Sequence, residues 1–303
     1  MKLFLLFPTA ILIFLHAFSQ TASTYYLQGC NEAIYGNHCK AIDLYSKAIM
    51  VESGNQNFYL NRAVSYIALK NYIPAIADLS HVIDISPNST EAFFKRAWVK
   101  EIVNDHEGAI SDYTKAIQLN PKMANAFYNR AISKCNLQDY EGAIADYTKA
   151  LQLKTDLHNA WYNRGCVKSK LKDYSSAIVD YTNAIRLNDE YYGSFFNRGL
   201  AKFYLEDYRG AIFDFSKAIS LYPNNYKAYY YRGMTKDNLL EYKDAVEDYD
   251  AAIKLQPNNH ELYYKRGVSK ILIGLKDNGC LDLSRAGELG NPNAYVTIKK
   301  MCK

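Results

Sequence analysis

One short pattern recurs along most of the chain at a fixed spacing. Seven arginines stand 34 residues apart with no insertion between copies, and an aspartate follows each arginine by 16 residues. The arginines are Arg62, Arg96, Arg130, Arg164, Arg198, Arg232 and Arg266, and the aspartates are Asp78, Asp112, Asp146, Asp180, Asp214, Asp248 and Asp282. A fixed period of this length is typical of repeat architectures, in which each unit is stable only when stacked on its neighbours. The 303 residues are therefore predicted to form a solenoid rather than the two globular domains that length alone would favour.

Each repeat is predicted to contain two helices. With the arginine numbered as position 7, the helices cover roughly positions 2–14 and 17–31, judged from their apolar stripes. Aspartate at position 16 is a good N-cap for the second helix in four units, and proline at position 32 ends that helix in four units. No stretch alternates apolar and polar residues as a strand would. The eight units start at Ala22, Gln56, Thr90, Ala124, His158, Tyr192, Tyr226 and His260.

The residue types that recur inside the repeat resemble a known family. An aromatic residue at position 4, Gly or Ala at 8, Tyr at 17, Ala at 20, Tyr or Phe at 24, Ala at 27 and Pro at 32 resemble the tetratricopeptide repeat, from Ala22 to about Asn293. The resemblance implies an all-α fold of antiparallel helix pairs stacked into a right-handed superhelix, with the first helices on its concave face. The predicted organisation is a signal peptide at 1–19, the solenoid at 20–293 and a capping helix at 294–303.

The chain departs from the family pattern at two positions. The family commonly has Leu at position 7 and Tyr at position 11, whereas this chain has Arg in seven units and Lys in six. Cations on a packing stripe are costly unless they are paired, and the aspartate at position 23 faces the same stripe. In the first unit Gln28, Glu32 and Leu44 replace all three charges together. We therefore predict a ladder of Arg–Asp pairs between the two helices, within a repeat or across a repeat boundary, that fixes helix register.

The N-terminus has the layout of a secretory signal peptide. Lys2 precedes an apolar run from Leu3 to Phe18, and the small residues Ala17 and Ser19 precede a cleavage point before Gln20. The alternative is an uncleaved anchor helix, but the run is short against the roughly 20 residues that span a bilayer. We therefore expect export to the bacterial periplasm or the extracellular space, with no membrane span after cleavage.

Export would place the six cysteines in an oxidising compartment, where disulfides persist. The most local pairing is Cys30–Cys39, Cys135–Cys166 and Cys280–Cys302. The alternative is that several are buried thiols, which pack as small apolar residues. No histidine stands at metal-ligand spacing from a cysteine pair, so neither a metal nor another cofactor is expected.

Neither catalysis nor nucleic-acid binding is indicated. The histidines are scattered over different repeats, and no nucleophile, phosphate-loop or zinc-protease motif is present, so the chain is predicted not to be an enzyme. The formal net charge is +5, but lysines alternate with acidic residues in every repeat, which is typical of a solvated mixed surface.

A second stripe of the first helices is the candidate binding surface. In the tetratricopeptide family this concave face commonly holds an extended peptide. Here position 5 is mostly aromatic and position 6 is often Asn, whose amide both donates and accepts hydrogen bonds, while Tyr adds contact area. The candidate residues are Asn61, Phe94, Tyr128, Asn129, Tyr162, Asn163, Phe196, Asn197, Tyr230 and Tyr264.

The sequence thus favours a non-enzymatic protein-interaction scaffold that binds an extended peptide along a Tyr- and Asn-lined face. Two alternatives remain open at this point. Tyrosine rings and amides also suit a carbohydrate or cell-wall ligand, and the repeat could serve as a structural or self-assembling subunit without a dedicated ligand. The partner's identity and the oligomeric state are not determined by these patterns.

Overall fold

The computed structural model describes the backbone of residues 7–303 and the side chains of residues 21–303. Within that part the chain consists of 17 α-helices joined by short turns, with no strand. The predicted all-α solenoid is confirmed. The helices are α1 (Phe7–Ile34), α2 (His38–Val51), α3 (Gln56–Ala68), α4 (Tyr72–Ile85), α5 (Thr90–Ile102), α6 (His106–Leu119), α7 (Ala124–Asn136), α8 (Tyr140–Leu153), α9 (His158–Lys170), α10 (Tyr174–Leu187), α11 (Tyr192–Tyr204), α12 (Tyr208–Leu221), α13 (Tyr226–Asn238), α14 (Tyr242–Leu255), α15 (His260–Leu272), α16 (Lys276–Glu288) and α17 (Ala294–Met301).

The helices form two compact units, one ending at Lys154 and one running from Thr155 to Lys303. In each unit every first helix packs against the second helix of its own repeat, which packs in turn against the next first helix. Helices α3, α5, α7, α9, α11, α13 and α15 begin at the residues where predicted repeats two to eight begin. Helix α17 begins at Ala294, the first residue of the predicted capping helix.

The predicted signal peptide lies largely outside the described residues, since no side chain before residue 21 is described. In the described part of the chain, no helix has both the length and the apolar character needed to cross a bilayer.

Small residues let the two helices of a repeat approach closely. A Cβ atom added to Gly165, at position 8, would lie 2.8 Å from the Tyr181 ring at position 24. Position 8 therefore makes room for an aromatic ring rather than for the small residue at position 20. Only in the last repeat do two glycines meet, because a Cβ atom on Gly279 would lie 2.6 Å from the Gly267 carbonyl oxygen.

The turn inside each repeat has a fixed geometry. The aspartates at position 16 cap the second helices as predicted, since Asp105, Asp139, Asp173 and Asp207 each accept a hydrogen bond from the backbone N–H three residues on. The preceding residue, at position 15, is left-handed in every repeat, which was not predicted. Six of these residues are not glycine, and they are Lys70, Asn104, Gln138, Lys172, Glu206 and Leu240, with φ between 59° and 63°.

We expect Leu240→Gly to raise the free energy of unfolding by about 0.5–1 kcal/mol, because a left-handed conformation strains a branched side chain but not glycine. Leu240 is 70% exposed, so little packing is lost. Urea denaturation would measure the change. Asn104→Gly is the matched control at the same position of another repeat, and it should be nearly neutral because Asn tolerates this conformation. A loss of stability in Leu240→Gly would contradict the strain at position 15.

A disulfide attaches the capping helix to the last repeat. Cys280 on α16 and Cys302 after α17 are bonded, with Cα atoms 5.9 Å apart. The Tyr264 hydroxyl also contacts the Thr297 hydroxyl at 3.2 Å. Of the three local pairs predicted, this one is formed.

The pairs Cys30–Cys39 and Cys135–Cys166 are wrong, because these four cysteines are thiols. Cys30 lies on the first helix beside Asn61, whereas Cys39 is exposed on the second helix. Cys135 lies within 4.0 Å of the Tyr147 hydroxyl of its own repeat. Proximity in sequence therefore did not predict which cysteines are bonded.

Candidate functional site

The charged residues of the repeat are bound to one another and form part of the scaffold. In the fourth repeat Arg130 Nε and Nη2 donate to the two carboxylate oxygens of Asp146, at 2.8 and 2.7 Å. The same fork joins the two helices of every repeat from the second to the eighth. The seven aspartates are at most 7% exposed. The pairs lie within repeats, and their role in fixing register stays a prediction.

Each arginine also makes contacts that were not predicted. Arg130 Nη1 donates to the Thr114 hydroxyl of the preceding repeat at 2.9 Å, and its guanidinium lies 5.6 Å from the centre of the Phe127 ring. Lys134 Nζ, at position 11, lies 2.8 Å from Asp146 Oδ2. The sequence did contain a signal for this hydroxyl partner of the arginine, because position 25 is Ser or Thr in seven of eight repeats. These contacts keep the Arg, Lys and Asp side chains from offering charge to a ligand.

The aromatic residues at position 5 form a half-buried floor along the first helices. In six repeats this ring packs against the ring at position 24 of the same repeat, as Tyr128 does against Tyr147 and Tyr162 against Tyr181, with centroids 5.8 and 6.0 Å apart. In the eighth repeat position 24 is Leu283, so Tyr264 has no such partner. Phe94, Phe196 and Tyr230 make the same contact in their repeats. The predicted position-5 residues are therefore partly engaged in packing within the repeat and only partly exposed.

Asparagine at position 6 links neighbouring repeats. Asn61 Nδ2 donates to the Tyr26 hydroxyl at 2.8 Å, and Asn197 Nδ2 donates to the Tyr162 hydroxyl at 2.9 Å. The same amide of Asn197 reaches the Cys166 sulfur at 3.5 Å. The amide protons are thus already used, and Asn197 offers mainly its carbonyl oxygen as a hydrogen-bond acceptor.

Cys166 is not placed for nucleophilic chemistry. Burial raises the pKa of its thiol, and the hydrogen bonds from Tyr181, Tyr162 and Asn197 only partly oppose that shift. A thiol with a raised pKa is a poor nucleophile at neutral pH. Among the side chains that the structure describes, no group of three or more His, Cys, Asp or Glu residues could hold a metal ion.

Three adjoining pockets run along the first helices of the unit from Thr155 to Lys303. They measure about 280, 350 and 200 Å³, and we call them the tyrosine groove. Asn197 lines both the first and the middle pocket, and Tyr226 and Lys227 line both the middle and the last. The other aromatic lining residues are Tyr174, Tyr181 and Tyr204 in the first pocket, Tyr162, Tyr191, Tyr192, Phe196 and Tyr222 in the middle one, and Tyr230 and Tyr231 in the last.

The middle pocket contains rings that were not among the predicted site residues. Tyr191 meets Tyr162 at an interplanar angle of 89°, with centroids 5.1 Å apart, and it meets His158 at 85°. Tyr192 lies 5.0 Å from Tyr222, which is 45% exposed. Tyr191 and Tyr222 lie in the turns between repeats, and Tyr192 is the first residue of α11. The sequence prediction had considered only the concave stripe of the first helices. The two adjacent tyrosines at 191 and 192 were the sequence feature that could have pointed to this pocket.

The carboxylates beside the groove accept hydrogen bonds from neighbouring side chains. Asp237 accepts hydrogen bonds from the Tyr249 hydroxyl at 2.6 Å and from the Ser269 hydroxyl at 2.8 Å, and burial raises its pKa. Glu261 accepts a hydrogen bond from Asn291 Nδ2 at 3.1 Å. Lys227 is exposed, and no ion pair is found for it among the described side chains.

The first compact unit presents a different surface. Its first helices expose Leu27, Val64, Trp98 and Ile102, and its predicted residues Asn61, Phe94, Tyr128 and Asn129 are half-buried. A pocket of about 460 Å³ there is lined by Gln56 and residues 85–89, away from those predicted side chains.

Comparison with known families agrees with the repeat geometry. Models of the tetratricopeptide repeat match residues 57–89, 95–158, 158–191 and 193–225, and a TPR repeat model matches residues 241–270. The chain is therefore built from tetratricopeptide repeats. A scaffold of this kind suggests protein–protein interaction.

Curated relatives share only a segment with this chain. A small glutamine-rich tetratricopeptide repeat-containing protein from Dictyostelium discoideum is 36% identical over 58 residues, 19% of this chain and 17% of that protein. The serine/threonine-protein phosphatase T of Aspergillus oryzae is 35% identical over 80 residues, 26% of this chain and 16% of that protein. The match thus spans less than a fifth of either relative.

Solved structures share the fold over most of their length. The C-terminal part of a TPR repeat-containing protein from Cytophaga hutchinsonii has a TM-score of 0.69 at 16% identity, over 79% of this chain and 98% of that one. YrrB, described as a TPR protein with an unusual peptide-binding site, has a TM-score of 0.57 at 24% identity, over 61% of this chain and 94% of that one. These likenesses show the fold alone.

Proposed function

We propose that this protein is a non-enzymatic scaffold that binds an extended segment of a partner protein in the tyrosine groove. The observation that carries the proposal is that the three pockets follow one another along the repeats and share lining residues from one repeat to the next. An elongated site suits an elongated ligand, since each repeat can contact a successive part of it. Of the predicted binding residues, Tyr162, Phe196, Asn197 and Tyr230 line these pockets.

The chemistry of the groove suits a polypeptide backbone. Tyrosine rings supply rigid contact area at low entropic cost, and asparagine amides pair with backbone groups without reading side chains. Because Asn197 is held by Tyr162 and Cys166, its carbonyl oxygen is oriented before a ligand arrives. Such pre-organisation improves affinity by lowering the entropy lost on binding.

Selection from an unbiased peptide library against the whole chain would test the proposal. We expect enriched peptides that crosslink to α11 and α13, and a loss of affinity of about tenfold or more in the variant Tyr192→Ala with Tyr222→Ala. Tyr35→Ala is the matched control, because Tyr35 is an exposed tyrosine in the other compact unit. Circular dichroism would verify that helicity is unchanged.

A glycan-array signal without any enriched peptide would contradict the proposal and favour a carbohydrate ligand. Concentration-dependent self-association without either signal would favour a structural subunit. These are the two alternatives that the repeat pattern leaves open.

We also propose that the chain is exported and loses residues 1–19. The apolar N-terminal run and the Cys280–Cys302 disulfide support this, since disulfides persist in oxidising compartments. Intact mass of the protein from its native cells would show a mature N-terminus near Gln20. A mass that retains the first 19 residues would contradict cleavage.

A further inference from the structure

We propose that the middle pocket of the tyrosine groove takes an aromatic side chain of the partner segment, and that Lys227 binds a carboxylate next to it. This inference rests on the proposed peptide binding and adds the class of segment that is recognised. It combines the shape of the pocket with the charge at its rim.

The pocket walls favour a flat ring. Two of the lining rings, Tyr191 and Tyr162, meet at an interplanar angle of 89° and form a corner of the pocket. A ring that enters such a corner meets one wall face to face and the other edge to face, and aromatic pairs prefer offset-stacked and edge-to-face contacts. At about 350 Å³ the pocket lies within the range of small-ligand sites and is ample for one aromatic side chain.

The charge at the rim favours an anion. Lys227 lines both the middle and the last pocket, while no carboxylate lines the middle one. Glu261 lines only the last pocket, so its carboxylate does not border the middle one. Lys227 is also the second residue of α13, and the positive end of a helix dipole attracts anions at that end.

The positive charge of Lys227 makes two other common ligands of aromatic pockets, cationic side chains and neutral sugars, less favourable. Rings attract arginine and lysine side chains through cation–π contacts, but Lys227 would repel such a cation. A neutral sugar would stack on the rings and could accept a hydrogen bond from the ammonium group, but it would gain no charge–charge attraction. An aromatic residue next to Asp, Glu or a C-terminal carboxylate uses both features.

Fluorescence anisotropy with labelled peptides would test this inference on the whole chain. We expect a peptide with a central Trp-Asp pair to bind, an Ala-Asp version to lose about tenfold or more in affinity, and a Trp-Asn version to lose roughly threefold to fivefold. Lys227→Glu should weaken the Trp-Asp peptide and should bind a Trp-Lys peptide better than the parent protein does. Lys243→Glu, an exposed lysine on second helix α14, is the matched control and should leave affinity unchanged.

The outcomes separate this inference from the proposed function. If library peptides bind the groove but show no preference for an aromatic–acidic pair, or if Lys227→Glu has no effect, the inference is overturned and peptide binding stands. If no peptide binds and an acidic oligosaccharide does, both are overturned.

Discussion

Replacing Asp248 with alanine is expected to lower the free energy of unfolding by about 3–5 kcal/mol, because it leaves two cations without their counter-charge inside the repeat. Asp248 is 3% exposed, and Arg232 Nε lies 3.0 Å from one carboxylate oxygen. Lys236 Nζ lies 2.8 Å from the same oxygen. Arg232 also bonds the Ser216 hydroxyl of the preceding repeat, so its displacement would disturb the junction between two repeats.

The neighbouring residue provides the control for this experiment. Glu247 is exposed on the same helix α14, and Glu247→Ala should change stability by less than about 0.5 kcal/mol. Because repeat arrays unfold by parts, native-state hydrogen exchange of α13 and α14 is the better measurement, with urea denaturation beside it. A loss below about 0.5 kcal/mol in Asp248→Ala would contradict a buried, energetically coupled pair.

A variant that removes all three charges of one repeat would distinguish a contribution to stability from a role in fixing helix register. Arg232→Met, Lys236→Met and Asp248→Leu together should recover most of the lost stability, since apolar replacements of a buried ion pair are often neutral or favourable. If the triple variant is stable but its repeats shift or self-associate, the ladder contributes specificity of packing. If it is stable and unchanged in structure, the register role is contradicted.

Removing the Cys280–Cys302 disulfide is expected to lower the stability of the last repeat by about 3 kcal/mol, from the entropy of closing a loop of that size. The two cysteines are 22 residues apart in sequence, and between them lie most of α16, the following turn and α17. Cys280→Ser with Cys302→Ser, or reduction of the wild type, should speed hydrogen exchange in α16 and α17. The first and middle pockets of the tyrosine groove lie on earlier helices, so ligand binding there should change little.

Cys39→Ser is the matched control, because Cys39 is an exposed thiol on α2. Alkylation in denaturant would check the pairing directly, since four thiols should react before reduction and two more after it. Six reactive thiols without reduction would contradict the disulfide, and fewer than four would point to a second one.

Part of the candidate site was predictable because it follows the repeat. Tyr162 and Asn197 were found as members of the position-5 and position-6 stripes, which a 3.6-residue helical period brings to one face. Tyr191 and Tyr222 were not, because they belong to turns, where the helical period gives no information about direction. The Asn197 amide group donates to the Tyr162 hydroxyl and to the Cys166 sulfur of the preceding repeat. These bonds depend on distances between two repeats, and the spacing of residues along one helix does not predict such distances.

By itself the sequence determined the period, the two helices of each repeat and the pairing of Arg with Asp, because these follow from local helical geometry and from the need to neutralise a buried cation. The tertiary structure alone decided which cysteines are bonded and that the third nitrogen of Arg130 binds the Thr114 hydroxyl of the preceding repeat. It also decided that the turn residues Tyr191 and Tyr222 line the same pocket as the first-helix rings of Tyr162 and Phe196. All three depend on how neighbouring helices pack, which the helical period along a single helix does not determine.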